Sequence, residues 1–261
     1  MAIEQSPPVP NGGRTIAVTG KGGSGKTMLT ALMTGLLARN KDLKILAIDA
    51  DSSISLPYAL GVSINKTVAD IRQGIIEDPK AKAAMDDKPI RMVMEEILED
   101  GQGFRLLTMG RPEGPGCFCA TNDLLRYGID NLSKRFDITL IDCEAGPEQV
   151  NRRVVNGVDI LVIVTDTSVR GMHAASSIAD VVKNDRDIKV SQAGLVINKS
   201  KGKDDLIVEM AQKQNLDVLG SVPDDETLAE YDSLGKPIVN LPDTSPSVHA
   251  VQQILQKLTL L

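Results

Sequence analysis

The chain has 261 residues, 42% hydrophobic, 25% charged and 2% aromatic, enough to bury a full core with ordinary globular composition. A net charge of -6, with three tyrosines, three phenylalanines and no tryptophan, argues against a protein that grips nucleic acid through many phosphate contacts or stacked bases. No apolar run approaches the roughly 18–20 residues that span a bilayer, and MAIEQSPPVPNGG lacks the basic and apolar regions of a signal peptide, so a cytoplasmic protein is expected.

In chain order, residues 1–13, with Pro7, Pro8, Pro10 and Asn11-Gly12-Gly13, predict a mobile tail. Apolar runs with strand character then recur at 15–19, 45–48, 104–108, 138–141, 160–164 and 194–197, separated by stretches of helical length. Runs that are apolar on both faces fit strands covered on both sides. The expected fold is therefore α/β, a doubly wound, mostly parallel sheet with helices on both faces. Residues 14–261 read as one domain. Its stretch from 65 to 103, with the Pro79 break and the spacing of Met92, Met94, Ile97 and Leu98, predicts a helical insertion.

Directly after the first run stands Gly20-Lys21-Gly22-Gly23-Ser24-Gly25-Lys26-Thr27, which matches G-x-x-x-x-G-K-[ST] between a strand and an apolar helix. In such a loop the glycines let backbone N–H groups curl round phosphates, Lys26 brings charge to the terminal phosphates, and Thr27 offers a hydroxyl to magnesium. The spacing thus predicts a P-loop nucleoside triphosphatase. One lysine suffices for the loop's own nucleotide, so Lys21 is either a solvated loop residue or a group that reaches a neighbour's phosphates. Further acids close the apolar runs. Asp49 and Asp51 can face the phosphates or cap a short helix at 56–60, and Asp142 is followed by Gly146.

The K-G-G-x-G-K-T pattern resembles the deviant Walker loop of the MinD, ParA and nitrogenase iron-protein group of dimerising ATPases. That resemblance implies an ATP-dependent homodimer in which Lys21 crosses to the partner's γ-phosphate, with ATP or ADP and Mg2+ as ligands. It also implies that Asp51 positions the attacking water, and that Thr27, Asp49 and Asp142 serve magnesium. Asp142 and Gly146 would form the second switch. The implied nucleotide set runs through Gly22, Gly23, Ser24, Gly25, Lys26, Thr27 and Met28 to Asn198, Lys199, Pro223 and Asp224, with the Asn198 amide reading the base. Lys21, Lys26 and Asp51 carry the implied catalysis. The group often has Pro after the second acid, whereas this chain has Ser52 and Ser53. That departure points to differently tuned hydrolysis.

The stretch Gly110-Arg111-Pro112-Glu113-Gly114-Pro115-Gly116-Cys117-Phe118-Cys119 resembles the C-x-C accessory ATPases of carbon monoxide dehydrogenase and acetyl-CoA synthase, the CooC and AcsF type. This resemblance implies nickel insertion into a client of that kind. Gln149 stands where those relatives usually carry His. Three cysteines, an odd number, do not make a disulfide framework. On an extended segment, thiols two residues apart project to one side, so two copies of the chain would offer four ligands to Ni2+, Zn2+ or an iron-sulfur cluster. Buried inert thiols and a strained local disulfide are the alternatives. Cys143 reads as a small core residue and Glu144 as either a family position or a loop acid; His173 and His249 stand alone. The spacing of Val248, Val251, Ile254, Leu255 and Leu258 predicts a core-packed helix without the basic face of a membrane anchor. A positioning ATPase without a metal role, and an iron-sulfur electron-transfer ATPase, remain the competing functions.

Overall fold

A computed structural model describes residues 13–77, 90–111, 118–146, 157–185 and 188–261. The predicted tail up to residue 12, Pro79, Cys117, Glu148 and Gln149 lie outside them. The sheet has eight strands: β1 (Arg14–Gly20), β2 (Ile45–Ala50), β3 (Glu99–Asp100), β4 (Arg105–Thr108), β5 (Ile138–Cys143), β6 (Val158–Thr165), β7 (Val190–Ser200) and β8 (Asp217–Pro223). Their order is β3-β4-β2-β5-β1-β6-β7-β8. β3 runs antiparallel to β4, and the remaining neighbours are parallel.

The apolar strand residues divide by parity between two cores. Ile16 and Val18 of β1 pack beneath α1 (Lys26–Leu37), while Ala17 between them faces the opposite layer. The first layer also takes α2 (Leu56–Leu60) and, with other elements of that side, residues Val248, Val251, Ile254 and Leu255 of the C-terminal helix. The second layer is built from α3 (Val68–Glu77), α4 (Ile90–Glu96), α5 (Phe118–Leu132), α6 (Val169–Asn184) and α7 (Asp205–Lys213). Parallel strands covered on both faces account for the near-continuous apolar runs. The insertion is helical at α3 and α4, with Met94, Ile97 and Leu98 buried and Met92 turned outward. It ends in β3, a strand that the periodicity does not show.

A second difference concerns the cysteines. Cys119 lies in the first turn of α5, so the extended geometry expected for the C-x-C pair does not hold at that residue.

α8 (Glu226–Ser233) and α9 (Pro246–Lys257) meet through one carboxylate. Asp225 Oδ1 accepts from Thr227 N (3.0 Å) and Leu228 N (3.3 Å), and Oδ2 accepts from Ser245 Oγ (2.6 Å) and Ser247 N (3.1 Å). Burial alone would raise its pKa. The bonds from Ser245, Ser247 and Leu228 outweigh burial and hold the carboxyl below the usual range. Asp225→Ala uncaps α8 and strips the α9 cap of its acceptor, so we expect a loss of about 2–3 kcal/mol, read as a lower urea midpoint. Because the folded pKa is depressed, this stabilisation is present above about pH 4 and fades as pH falls through the folded value. An unchanged midpoint at pH 7 would show that the double cap contributes nothing.

Candidate nucleotide site

All the parallel strands direct their carboxyl ends to one edge, where loops and helix N-termini gather. Gly20 leaves β1 opposite Val164, and the chain turns through residues 21–25 into α1. Gly25 occupies the N-cap of α1 at φ +95, a left-handed conformation natural to glycine. Asn198, at the end of β7, donates its Nδ2 to Ser24 O at 2.7 Å and is nearly fully buried. That amide therefore clamps the loop with one N–H, and its second N–H and its oxygen are not used in that bond. Lys199 Nζ reaches Gly23 O at 3.4 Å, and Lys26 Nζ reaches Lys21 O at 3.4 Å. With no acid in the first turn of α1, its free N–H groups and Lys26 present a positive field to an anion.

Beside this cradle the sequence's acids separate into different jobs. Asp49 is fully buried, and its two oxygens accept Asp51 N and Leu56 N, both at 3.1 Å. It thus fixes the turn into α2, the capping role left open from sequence. Asp51 is half-buried and accepts Ser53 N at 2.8 Å. Asp142, next to Asp49 across the β2–β5 register, accepts the Thr27 hydroxyl at 2.6 Å through Oδ2. Its Oδ1 is buried with no hydrogen-bond partner. A buried, unsatisfied carboxylate oxygen beside a P-loop hydroxyl is a hard-oxygen corner suited to Mg2+. Gly146, at φ +97, donates its N–H to Gly20 O at 3.1 Å and ties the second acidic loop to the phosphate loop. Cys143 is buried in the core, where burial and the Asp142 charge push its thiol far up, so it is inert.

Burial raises Asp49 and Asp142 each to about 7; the Asp142 charge adds to the rise at Asp49, whereas the Thr27 bond and Lys26 oppose it at Asp142. Folding of the metal-free protein keeps these carboxyls protonated at a pH where the unfolded chain ionises them. Their raised pKa values therefore make stability fall from about pH 4 to about pH 7 and level above that. Asp142→Asn removes one such group, so its metal-free melting temperature at pH 8 should exceed the wild type's, a gain of about 1–3 kcal/mol. Equal melting of the two proteins at pH 8 would refute the assignment.

A cleft of about 960 Å3 joins these parts, lined by Gly22, Gly23, Gly25, Lys26, Thr27, Met28, Asp51, Asn198, Lys199, Pro223 and Asp224. Ser24 supports it from beneath, buried. Lys236, in the Gly235-Lys236-Pro237 segment that resembles one in the MinD and ParA group, joins the wall, and Tyr58 and Ala59 of α2 with Leu228, Ala229 and Asp232 of α8 form parts of it that no motif marked. The signal for them was indirect: two short helices bracketing the Asp51 and Pro223 loops. Lys21 is in contact with Asp166 and is not among the residues lining the cleft. Cys119 is placed only by its helix, and among the described residues no group of His, Cys, Asp and Glu could hold a metal ion. No helix of the described residues is long and apolar enough to cross a membrane.

Fold and site together define a P-loop nucleotide-binding protein. Residues 15–238 match the CobQ/CobB/MinD/ParA nucleotide-binding domain, and the chain belongs to that family. It is 39% identical to the ATP-binding protein MJ0685 of Methanocaldococcus jannaschii, over 93% of this chain and 97% of that one. It is 29% identical to the carbon monoxide dehydrogenase accessory protein CooC of Rhodospirillum rubrum, over 92% of this chain and 95% of that one. The cell division protein MinD of Aquifex aeolicus shares the fold with a TM-score of 0.71 at 22% identity, covering 94% of this chain and 96% of that one.

Proposed function

We propose that this chain is an ATP-hydrolysing metal-delivery factor that pairs with a second copy on binding ATP and assists nickel insertion into carbon monoxide dehydrogenase or acetyl-CoA synthase. Thr27 and Asp142 would hold Mg2+, which neutralises charge on the β- and γ-phosphates, while Asp49 shapes the adjoining turn. Lys26 and the loop N–H groups bind and orient the phosphates. Asp51 orients the attacking water toward the γ-phosphorus, and Lys21 of the partner subunit offsets the charge that builds as the β–γ bridging bond breaks. Asn198, Lys199, Pro223 and Asp224 take the base side. Cys117 and Cys119, two from each copy, hold the nickel or zinc cargo.

The observation that carries the reading is the contact of the Asp49–Asp51 turn with the end of β4, the strand that precedes the C-x-C segment in sequence. β4, which leads toward Cys117, pairs with β2 so that Thr108 lies opposite Asp49, and Met109 N donates to Asp49 O at 2.8 Å. A nucleotide-driven shift of the Asp49–Asp51 turn therefore pulls on the strand end that feeds the thiols. Similarity to CooC along nearly the whole chain supports the client class. The MinD likeness favours a second reading, a positioning ATPase without cargo, supported by 26% identity to MinD of Bacillus subtilis over 90% of this chain. Incubating nickel-poor carbon monoxide dehydrogenase with nickel, ATP and this protein distinguishes the two. The delivery reading expects faster activation than with nickel alone, requiring both ATP and the cysteines. Equal activation without the protein contradicts it.

A further inference from the structure

Lys21 does not point into open solvent. Its Nζ lies 3.4 Å from Asp166 Oδ2, with the two side chains 38% and 26% exposed. The contact follows from the topology: β1 and β6 pair with Gly20 opposite Val164, so residues 21 and 166 leave neighbouring strand ends together. Asp166 is itself held. Its Oδ1 accepts Ser168 N at 2.9 Å and the Ser168 hydroxyl, and the first turn of α6 closes over it at Gly171, where a Cβ would come within 2.3 Å of Oδ1. One carboxylate oxygen is thus committed to the helix start, and the other is left for the lysine.

We propose that Asp166 is a positioning residue that latches Lys21 onto its own subunit, so that this contact must open before the lysine can cross to a second copy of the chain. The inference rests on the in-trans role given to Lys21 above. An ammonium bonded to a carboxylate of its own chain is turned away from a neighbour's phosphates, so the latch competes with dimer closure. Ser168 and Lys21 together outweigh burial and keep Asp166 below the usual carboxylate range, so the latch is charged at neutral pH. A partly exposed ion pair of this kind shifts an equilibrium by about threefold, and a dimer that opens two latches by about tenfold. The latch sets the protein concentration at which ATP drives pairing, and salt weakens it.

Asp166→Asn keeps an oxygen for Ser168 and removes the charge. Sedimentation with a non-hydrolysable ATP analogue should show dimerisation at about tenfold lower protein concentration than wild type, with the gap narrowing in high salt. Introduced into Lys21→Ala, the same substitution should shift nothing. An equal shift in that background would mean that the effect bypasses Lys21 and would overturn the latch. So would a midpoint in Asp166→Asn identical to wild type. Turnover of Lys21→Ala, measured alongside, separates the two ideas: wild-type turnover removes the in-trans role itself, whereas lost turnover with an unmoved Asp166→Asn midpoint removes only the latch.

Discussion

Lys21→Ala will bind ATP within a few-fold of wild type and lose hydrolysis by about two to three orders of magnitude. The reason is a division of labour between two lysines five positions apart in sequence. Lys26 is buried at the start of α1, with its ammonium drawn to Lys21 O, where it serves the bound phosphates of its own subunit. Lys21 is held against Asp166 and is not among the residues lining the cleft, so its removal leaves ground-state contacts in place. A group that acts only on charge developing in the transition state changes turnover without changing binding. Turnover should accordingly rise with wild-type protein concentration, because the proposed in-trans role of Lys21 requires a second copy. Steady-state hydrolysis and nucleotide titration of the variant check both halves, and wild-type turnover would sink the assignment.

Gly25→Ala will abolish nucleotide binding while leaving the sheet folded. A methyl group there would lie 2.1 Å from Asn198 Nδ2, an atom that cannot simply swing aside because it holds Ser24 O at 2.7 Å. The left-handed φ of +95 adds backbone strain to the clash. Relief requires the loop to leave the curl that directs its N–H groups at phosphate. Strain on the order of 3 kcal/mol displaced into the loop corresponds to roughly a hundredfold weaker binding or worse. The methyl meets the Asn198 side chain near the end of β7 and Met28 rather than the apolar core of the sheet, so far-ultraviolet circular dichroism should match wild type. ATP binding at wild-type affinity would show that the Asn198 clamp is dispensable.

Much of this was legible in the amino-acid sequence because the signals are contiguous. β1, β2, β5 and β6 are apolar on both faces and stand out as runs, and the phosphate loop is an unbroken string of residues 20–27. β8 was hidden because it is an edge strand in which only Leu219 and Val222 are fully buried, and because Gly220 and Pro223 read as turn residues. Gly220 is there for packing: a Cβ would come within 2.8 Å of Ile254 Cγ1. β3 has two residues, both charged, and its Asp100 pairs with Arg105 across the turn, which no apolar pattern reports. At the site, the roles that escaped are those fixed by contacts between distant segments. Asn198 was expected to offer a donor and an acceptor to adenine, and the structure adds a role the sequence did not show, since one of its two amide N–H groups bonds a loop 174 positions away in sequence. Asp166 follows an unremarkable apolar run, and its meaning appears only when β6 is placed beside β1.

The most direct measurement of the delivery account is equilibrium dialysis of nickel against the full chain, with ADP and with a non-hydrolysable ATP analogue, for wild type and the Cys117→Ser/Cys119→Ser variant. Four thiolates from two chains predict one ion per dimer, with an affinity that differs between the two nucleotides and falls on acidification as the thiols protonate. The double variant should lose the ion and still bind ATP. Nickel retained by that variant at wild-type affinity would contradict the cargo role of the C-x-C segment and leave the positioning-ATPase reading in its place.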